Sequence, residues 1–400
     1  MTEEDARLVE KEFKKVSSLL SWSETFLTIG GIWPLDKTYK RATLFTIYLT
    51  FHLIMEYGEL LAVFGDLEAM VLSVLESVMQ SMVYAKLFVF RYSVMLRSLI
   101  LTIKEDFEDH YYEDWVEKKI YLEYNSLAKL FYKISMPYIT VAATLYYLRP
   151  FLTYYVIMPL ITDTSNLTFL VLPFRLKLFF SIETTQSYFI MYGYLLPMIY
   201  LLICHNAWIC LLITMVLHIC GQLAVLNHRI RHIPPDIDED KIQVVFGRLV
   251  RRHIRSIWMA KKLDDTFHFV LLIDLVGTTM LLGLMCYIVI IGSSMSESSF
   301  GYVYIICAIA TAFLLYGYCI VGECLINESK KVNEAYYECL WYKSSQKFRK
   351  SLLICLIETQ EPLRITAGKF FTFSLSGFTD VLKTAMSYLS MLRKMTQEGY

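Results

Sequence analysis

The sequence predicts an all-α polytopic membrane protein with seven transmembrane helices, amino terminus cytoplasmic and carboxyl terminus extracellular. Three observations carry this: an apolar excess, seven helix-length apolar segments and a one-sided placement of basic residues. Hydrophobic residues are 56% and charged residues 19% of the 400-residue chain, against roughly 45–50% and 25% in ordinary soluble domains. Mean hydropathy is +0.45. A water-facing globule cannot hide that surplus, and a disordered chain or a disulfide scaffold is excluded. Lys plus Arg and Asp plus Glu both total 38, so net charge gives no hint of a nucleic-acid partner.

Taken in order, residues 1–20 form an amphipathic charged stretch without the apolar core of a secretory signal. A bilayer core of about 30 Å needs roughly 20 apolar helical residues. Segments 42–64, 67–90, 131–158, 186–218, 266–292, 300–322 and 370–392 meet or approach this. The first two carry Glu and Lys and nearly abut across Gly65-Asp66. In the fourth, no Asp, Glu, Lys or Arg occurs from Thr184 to His228, long enough to overshoot a bilayer. Between the spans, 239–265 and 331–358 read as amphipathic helices, expected to form a cytoplasmic collar rather than lie on the inner leaflet.

Of the 38 basic residues, 30 fall before span one or in the loops after spans two, four and six, and 4 fall on the other side. Positive charge stays cytoplasmic, which sets the orientation. The sequon at Asn166 then lies in the sizeable outer loop and is the expected glycosylation site, while the one at Asn327 stays in the cytosol. All nine Cys fall in spans or inner loops and read as small buried hydrophobes.

An inside amino terminus contradicts a G-protein-coupled receptor, and no Asp-Arg-Tyr or Asn-Pro-x-x-Tyr signature occurs where one is needed. A metabotropic seven-span receptor is the alternative reading; no inverted repeat supports a transporter. Phosphate loop, Gly-x-Ser-x-Gly, His-Glu-x-x-His and paired-cysteine metal motifs are all missing, so no enzyme and no cofactor is expected. His228 and His232 are four apart but lack a third ligand. The intramembrane ionisable groups His52, Glu56, Glu59, Glu76, Lys86 and Asp274 are read as inter-span hydrogen-bonding groups.

The run Pro362 to Phe371, then Ser374-Leu375, Phe378, Val381 to Ala385, Ser387-Tyr388 and Leu392-Arg393, closely resembles the end of insect odorant receptors. Ala335-Tyr336, Trp341-Tyr342 and Gly31-Ile32-Trp33-Pro34 also match family positions. The resemblance is motif-level over the last sixty or so residues and topological elsewhere. It implies an odorant-gated, non-selective cation channel subunit in a hetero-tetramer with the odorant receptor co-receptor, in the plasma membrane of olfactory sensory neuron dendrites. The second inner loop, from about Gly221 to Asp265, lacks the co-receptor's insertion, so this looks like a ligand-tuning subunit. The chain accordingly divides into a cytoplasmic segment with a helix leading into the membrane (1–41), a six-span ligand-binding bundle with cytoplasmic extensions (42–322), a cytoplasmic anchor (323–366), and a pore-lining seventh span with a short extracellular tail (367–400).

Ser376, Asp380, Lys383, Ser387, Ser390 and Lys394 recur at 4, 3, 4, 3, 4, one polar stripe on the last span. On a membrane helix such a stripe faces protein or water; contact between helices by small residues is the competing explanation. The resemblance implies a pore here, with Thr384 beside the stripe and Met391 and Met395 at an apolar gate. Lys394 departs from a cation-pore pattern. A small volatile apolar ligand needs an apolar, aromatic pocket with few polar groups. In the outer half of the bundle the candidates are Val71, Leu75 and Met79; Tyr146, Tyr147, Phe151 and Tyr154; Tyr188, Tyr192 and Leu195; Tyr287; and Tyr302, Ile305 and Ile306. Each alone is more often a packing residue, since aromatics dominate helix packing too.

Overall fold

The computed structural model describes residues 3–398 except 37–38, 108–110, 153–170, 179, 181–183, 234–238, 292–300, 340 and 342–344. The expected ligand contact Tyr154 and the sequon Asn166 lie outside the described residues, as does the side chain of Met395. Twelve helices are described: α1 Glu3–Phe13, α2 Ser18–Ile29, α3 Tyr39–Ala62, α4 Leu67–Tyr92, α5 Val94–Glu105, α6 Trp115–Phe151, α7 Thr185–Tyr194, α8 Pro197–Arg231, α9 Glu239–Ile291, α10 Gly301–Glu338, α11 Gln346–Glu358 and α12 Leu375–Glu398. Two short strands, β1 Thr366–Ala367 and β2 Phe371–Thr372, form a hairpin ahead of α12.

Local chemistry sets the boundaries. Ser93, Asp114, Thr184 and Ser345 cap α5, α6, α7 and α11, each accepting a backbone N–H of the first turn. Gly65, at φ 107°, lets α3 turn into α4. The apolar stretch expected as one fourth span is broken at Leu195-Leu196, because Pro197 takes the first position of α8 and supplies no N–H. Conversely, the separately expected inner helix 239–265 and fifth span are one 53-residue helix, α9. Pro137 and Pro150 lie inside α6 without ending it.

The uncharged stretch is explained by position. Helix α8 packs against α2, α4, α6, α9 and α10, and its most apolar window is entirely buried. A helix apolar all round needs neighbours all round. Among the described residues, four helical segments are long and apolar enough to cross a membrane: Ala69–Tyr92, Thr185–Arg231, Lys241–Ile290 and Gly301–Glu338. Helices α3, α6 and α12 fall short on hydropathy because their inward or unpaired faces are polar. Helix α3 shows the division: Leu44, Ile47, Phe51, Ile54 and Leu61 point away from all protein, whereas His52 and Glu56 are buried against the bundle. An exposed apolar stripe of that length suits lipid.

At the end where α6 starts and α8 finishes, polar groups stitch the helices together. Glu117 of α6 takes a bidentate bond from Arg229 of α8; burial works against its charge, but Arg229 keeps the carboxyl below the usual range. Tyr121 hydrogen-bonds His218 Nδ1 at 2.8 Å, His218 Nε2 lies 3.2 Å from Asp106, and Asp106 takes Arg255 at 2.7 Å. Asp264 of α9 clamps the hairpin: it accepts the Thr366 N–H (2.7 Å), the Thr366 hydroxyl (2.8 Å) and Lys369 Nζ (2.6 Å). Burial works against the Lys369 charge, but Asp264 and Asp265 hold its pKa above the ordinary value. Lys369 sits at φ 67°, a left-handed conformation that a non-glycine residue keeps only when its surroundings fix it. Asp264→Ala is therefore expected to destabilise by about 1–3 kcal/mol per stranded donor, read as a lowered thermal midpoint of the detergent-purified protein.

Candidate functional site

A cavity of about 100 Å³ lies among α4, α6, α8, α9 and α10. The sequence places it there through facing stripes. Leu75, Met79 and Met82 come from α4, Ile139, Ala142, Ala143 and Tyr146 from α6, and Leu202 and Ile209 from α8. Helix α9 gives Thr278, Leu281 and Met285, and α10 gives Cys307, Ala310, Thr311, Leu314 and Leu315. Ala142, Ala143 and Ala310 leave the room that larger residues on the facing helices would fill.

Each end of the chamber carries a buried polar constellation. At one end Glu76 accepts the Tyr146 hydroxyl at 2.8 Å and the Arg175 N–H at 2.7 Å. Arg149 lies 3.9 Å from Glu76, donates to the Tyr304 hydroxyl, and bonds Pro173 O at 3.1 Å. At the other, Lys86 pairs with Asp274 at 2.7 Å, Tyr318 donates to Asp274 Oδ2 at 3.0 Å, and His205 lies 3.4 Å from Lys86 Nζ. The inter-span bonding expected of Glu76, Lys86 and Asp274 is therefore present. His52 and Glu56 instead bond within α3, at 3.0 Å, because residues four apart share a face.

Of the ligand residues expected from sequence, Leu75, Met79 and Tyr146 line the chamber. Val71 and Tyr287 are buried in the surrounding core, and Tyr302 is half-buried against it. Tyr147 and Tyr192 donate to each other's carbonyl oxygens at 2.6 Å, Tyr188 donates to Val171 O, and Leu195 is fully buried. Tyr147 and Tyr192 tie α6 to α7, and Tyr188 ties α7 to the segment before it; none of the four lines the chamber. Ile306 gives its carbonyl to Tyr138. Phe151 and Ile305, 49% and 45% exposed, face away from the bundle; helical period alone did not say which side of each span met its neighbours. Sequence reasoning missed Gln80, His205, Thr278 and Tyr318 as lining residues. A single polar residue amid an apolar run was the available signal for Gln80 and His205.

Helix α12 is buried on one side, at Val381 and Ala385, while Asp380, Lys383, Thr384, Ser387, Met391 and Lys394 are all exposed. Its near neighbour is α9: a Cβ on Gly283 would lie 3.2 Å from both Ala385 O and Tyr388 Cβ. Among the described residues no cluster of His, Cys, Asp or Glu could hold a metal.

Apolar helices around a buried chamber, with a half-covered polar helix beside them, define a polytopic helical membrane fold. The family profile described as 7tm odorant receptor matches residues 67–386, and the chain belongs to that family. Family members are receptors, not enzymes. Odorant receptor 13a of Drosophila melanogaster is 30% identical over 192 residues, 44% of this chain and 46% of that protein. The odorant receptor coreceptor of Harpegnathos saltator is 33% identical over 146 residues, 36% of this chain and 29% of that protein. The chain thus spans less than half the length of these relatives. The olfactory receptor OR5 of Machilis hrabei, solved alone and with eugenol, superposes with a TM-score of 0.75 in both cases. It covers 95% and 98% of this chain at 13% and 14% identity, and 99% and 100% of its own length is matched. That likeness concerns the fold.

Proposed function

We propose that this chain is the ligand-tuning subunit of an odorant-gated, non-selective cation channel. It assembles with the odorant receptor co-receptor as a hetero-tetramer in the plasma membrane of olfactory neuron dendrites, amino terminus inside. The carrying observation is the placement of α9. One face, at Asp274, Thr278, Leu281 and Met285, borders the chamber, and Gly283 abuts α12. A ligand that fits the chamber better in one setting of α9 would bias α12, and only such differential affinity can gate. Across a symmetric axis the exposed stripe Asp380, Lys383, Thr384, Ser387 would line a wet pore, with Met391 and Met395 closing it by dewetting. The tuning role is supported by the match to odorant receptor 13a and the short connection between α8 and α9.

The test is co-expression with an insect co-receptor under voltage clamp and a broad panel of volatiles. We expect ligand-evoked cation currents that need both chains. A response that needs a G protein and survives without the co-receptor would contradict the channel and favour a metabotropic receptor.

A further inference from the structure

The chamber's wall is helical at every lining residue but one. Among the described residues that border it, only Phe174 stands outside α4, α6, α8, α9 and α10. It belongs to 171–178, a stretch without helix or strand on the connection between α6 and α7. Phe174 is 5% exposed, with its ring 5.5 Å from that of Tyr146 and edge-on to His52 at 6.0 Å. Neighbours tie this strap down at separate points. Glu76 accepts the Arg175 N–H and Arg149 donates to Pro173 O. Tyr188 donates to Val171 O at 3.1 Å, and the Lys177 N–H reaches Met55 O at 3.2 Å. Glu76, Tyr146 and Phe174 all border the chamber, so the strap closes its Glu76 end.

A molecule inside such a chamber must have entered through some part of its wall. Parting two helices breaks close packing along their length. Lifting the strap breaks a few separate hydrogen bonds and withdraws one ring. Local opening follows the segment with the least packing to lose. We propose that 171–178 is the removable wall of the chamber: a ligand enters and leaves beside Phe174, and that ring also sets the longest molecule the closed chamber holds. Glu76 and Arg149 thereby gain a role, since both hold the strap closed by its backbone, at Arg175 and Pro173. The inference rests on the receptor reading above, and access is measured apart from current so that either can fail alone.

The test uses the detergent-purified full chain and needs no known ligand. The reporter is Ala142→Cys, at a chamber-lining position 5% exposed. The probes are methyl and hexyl methanethiosulfonate, and labelling at position 142 is followed by peptide mass spectrometry. The geometry supplies a lock, because a Cβ built on Gly58 lies 3.6 Å from Lys177 Cβ, within the roughly 3.5–4.5 Å of a disulfide. With Gly58→Cys and Lys177→Cys oxidised, methyl labelling is expected to slow by about tenfold or more, and to recover once the bond is reduced and the reductant removed. Phe174→Ala is expected to speed it by about the same factor and to bring the hexyl rate close to the methyl rate. Native Cys220, fully buried elsewhere in the bundle, should stay unlabelled throughout. Labelling as fast with the disulfide closed as with it open overturns the inference. So does an acceleration in Phe174→Ala that Cys220 shares, or a hexyl rate that this variant leaves unchanged. Strap-dependent labelling in a chain that gives no current leaves the inference standing and sinks the channel reading.

Discussion

Lys86→Met is expected to cost about 3–5 kcal/mol of stability, because it leaves the Asp274 carboxylate charged and uncompensated in the interior. The pair sits at 2.7 Å with side chains 2% and 3% exposed, and the nearby His205 and Tyr318 make it a four-residue knot joining α4, α8, α9 and α10. Asp274→Leu alone is expected to do the same by stranding Lys86. The two together should recover most of that loss, short of the about 1–3 kcal/mol left by the unpaired Tyr318 hydroxyl, since a buried pair replaced by apolar residues of similar volume is often neutral. Thermal unfolding of the four purified proteins reads this directly. Additive losses in the double variant would mean that the two charges are not each other's partners.

Gly322→Ala is expected to be nearly as damaging, at or beyond the upper end of the roughly 1–3 kcal/mol of overpacking. A Cβ there would lie 2.3 Å from Phe373 O and 3.0 Å from Phe373 C. That backbone cannot easily retreat. Phe373 N bonds Ile365 O at 3.1 Å, and Thr366 is fixed by Asp264. The contact sets how closely α10 approaches the lead into α12, so surviving protein should reach the surface poorly and open abnormally. A wild-type thermal midpoint would show that the hairpin can shift and that this contact is not limiting.

Much of the bundle was legible because lipid and protein select residues by opposite rules. The uncharged run from Thr184 to His228 marked a span too long for a bilayer, though not that its neighbours bury it on all sides, and the 4, 3, 4, 3, 4 spacing placed the α12 stripe on one face, where the exposures put it. The break at Pro197 was not legible beyond the presence of the proline, since proline ends a helix or bends it according to its neighbours. Fusion of 239–265 with the fifth span was not legible either, because a change from amphipathic to apolar pattern is compatible with one helix or two. The chamber was half legible. Depth along each span followed from the span limits and brought in Leu75, Met79 and Tyr146, but facing did not, which left Phe151 and Ile305 outside. Lys86 and Asp274 stood out as charges in apolar segments; that they meet required the packing of α4 on α9, held close where Gly277 lies under Met82.

The central claim is that a ligand in the chamber opens a pore lined by the exposed face of α12. Its most direct measurement is the thiol accessibility of Ser387→Cys in channels formed with the co-receptor. A membrane-impermeant, positively charged methanethiosulfonate is applied with and without an activating volatile from the panel. Val381→Cys, on the buried face of the same helix, and the wild type, whose nine cysteines lie in spans or connections, are the controls. The account predicts irreversible block of the Ser387→Cys current, faster in the presence of the activating volatile, with both controls unaffected. Block that is absent, independent of ligand, or equal at Val381→Cys would contradict it.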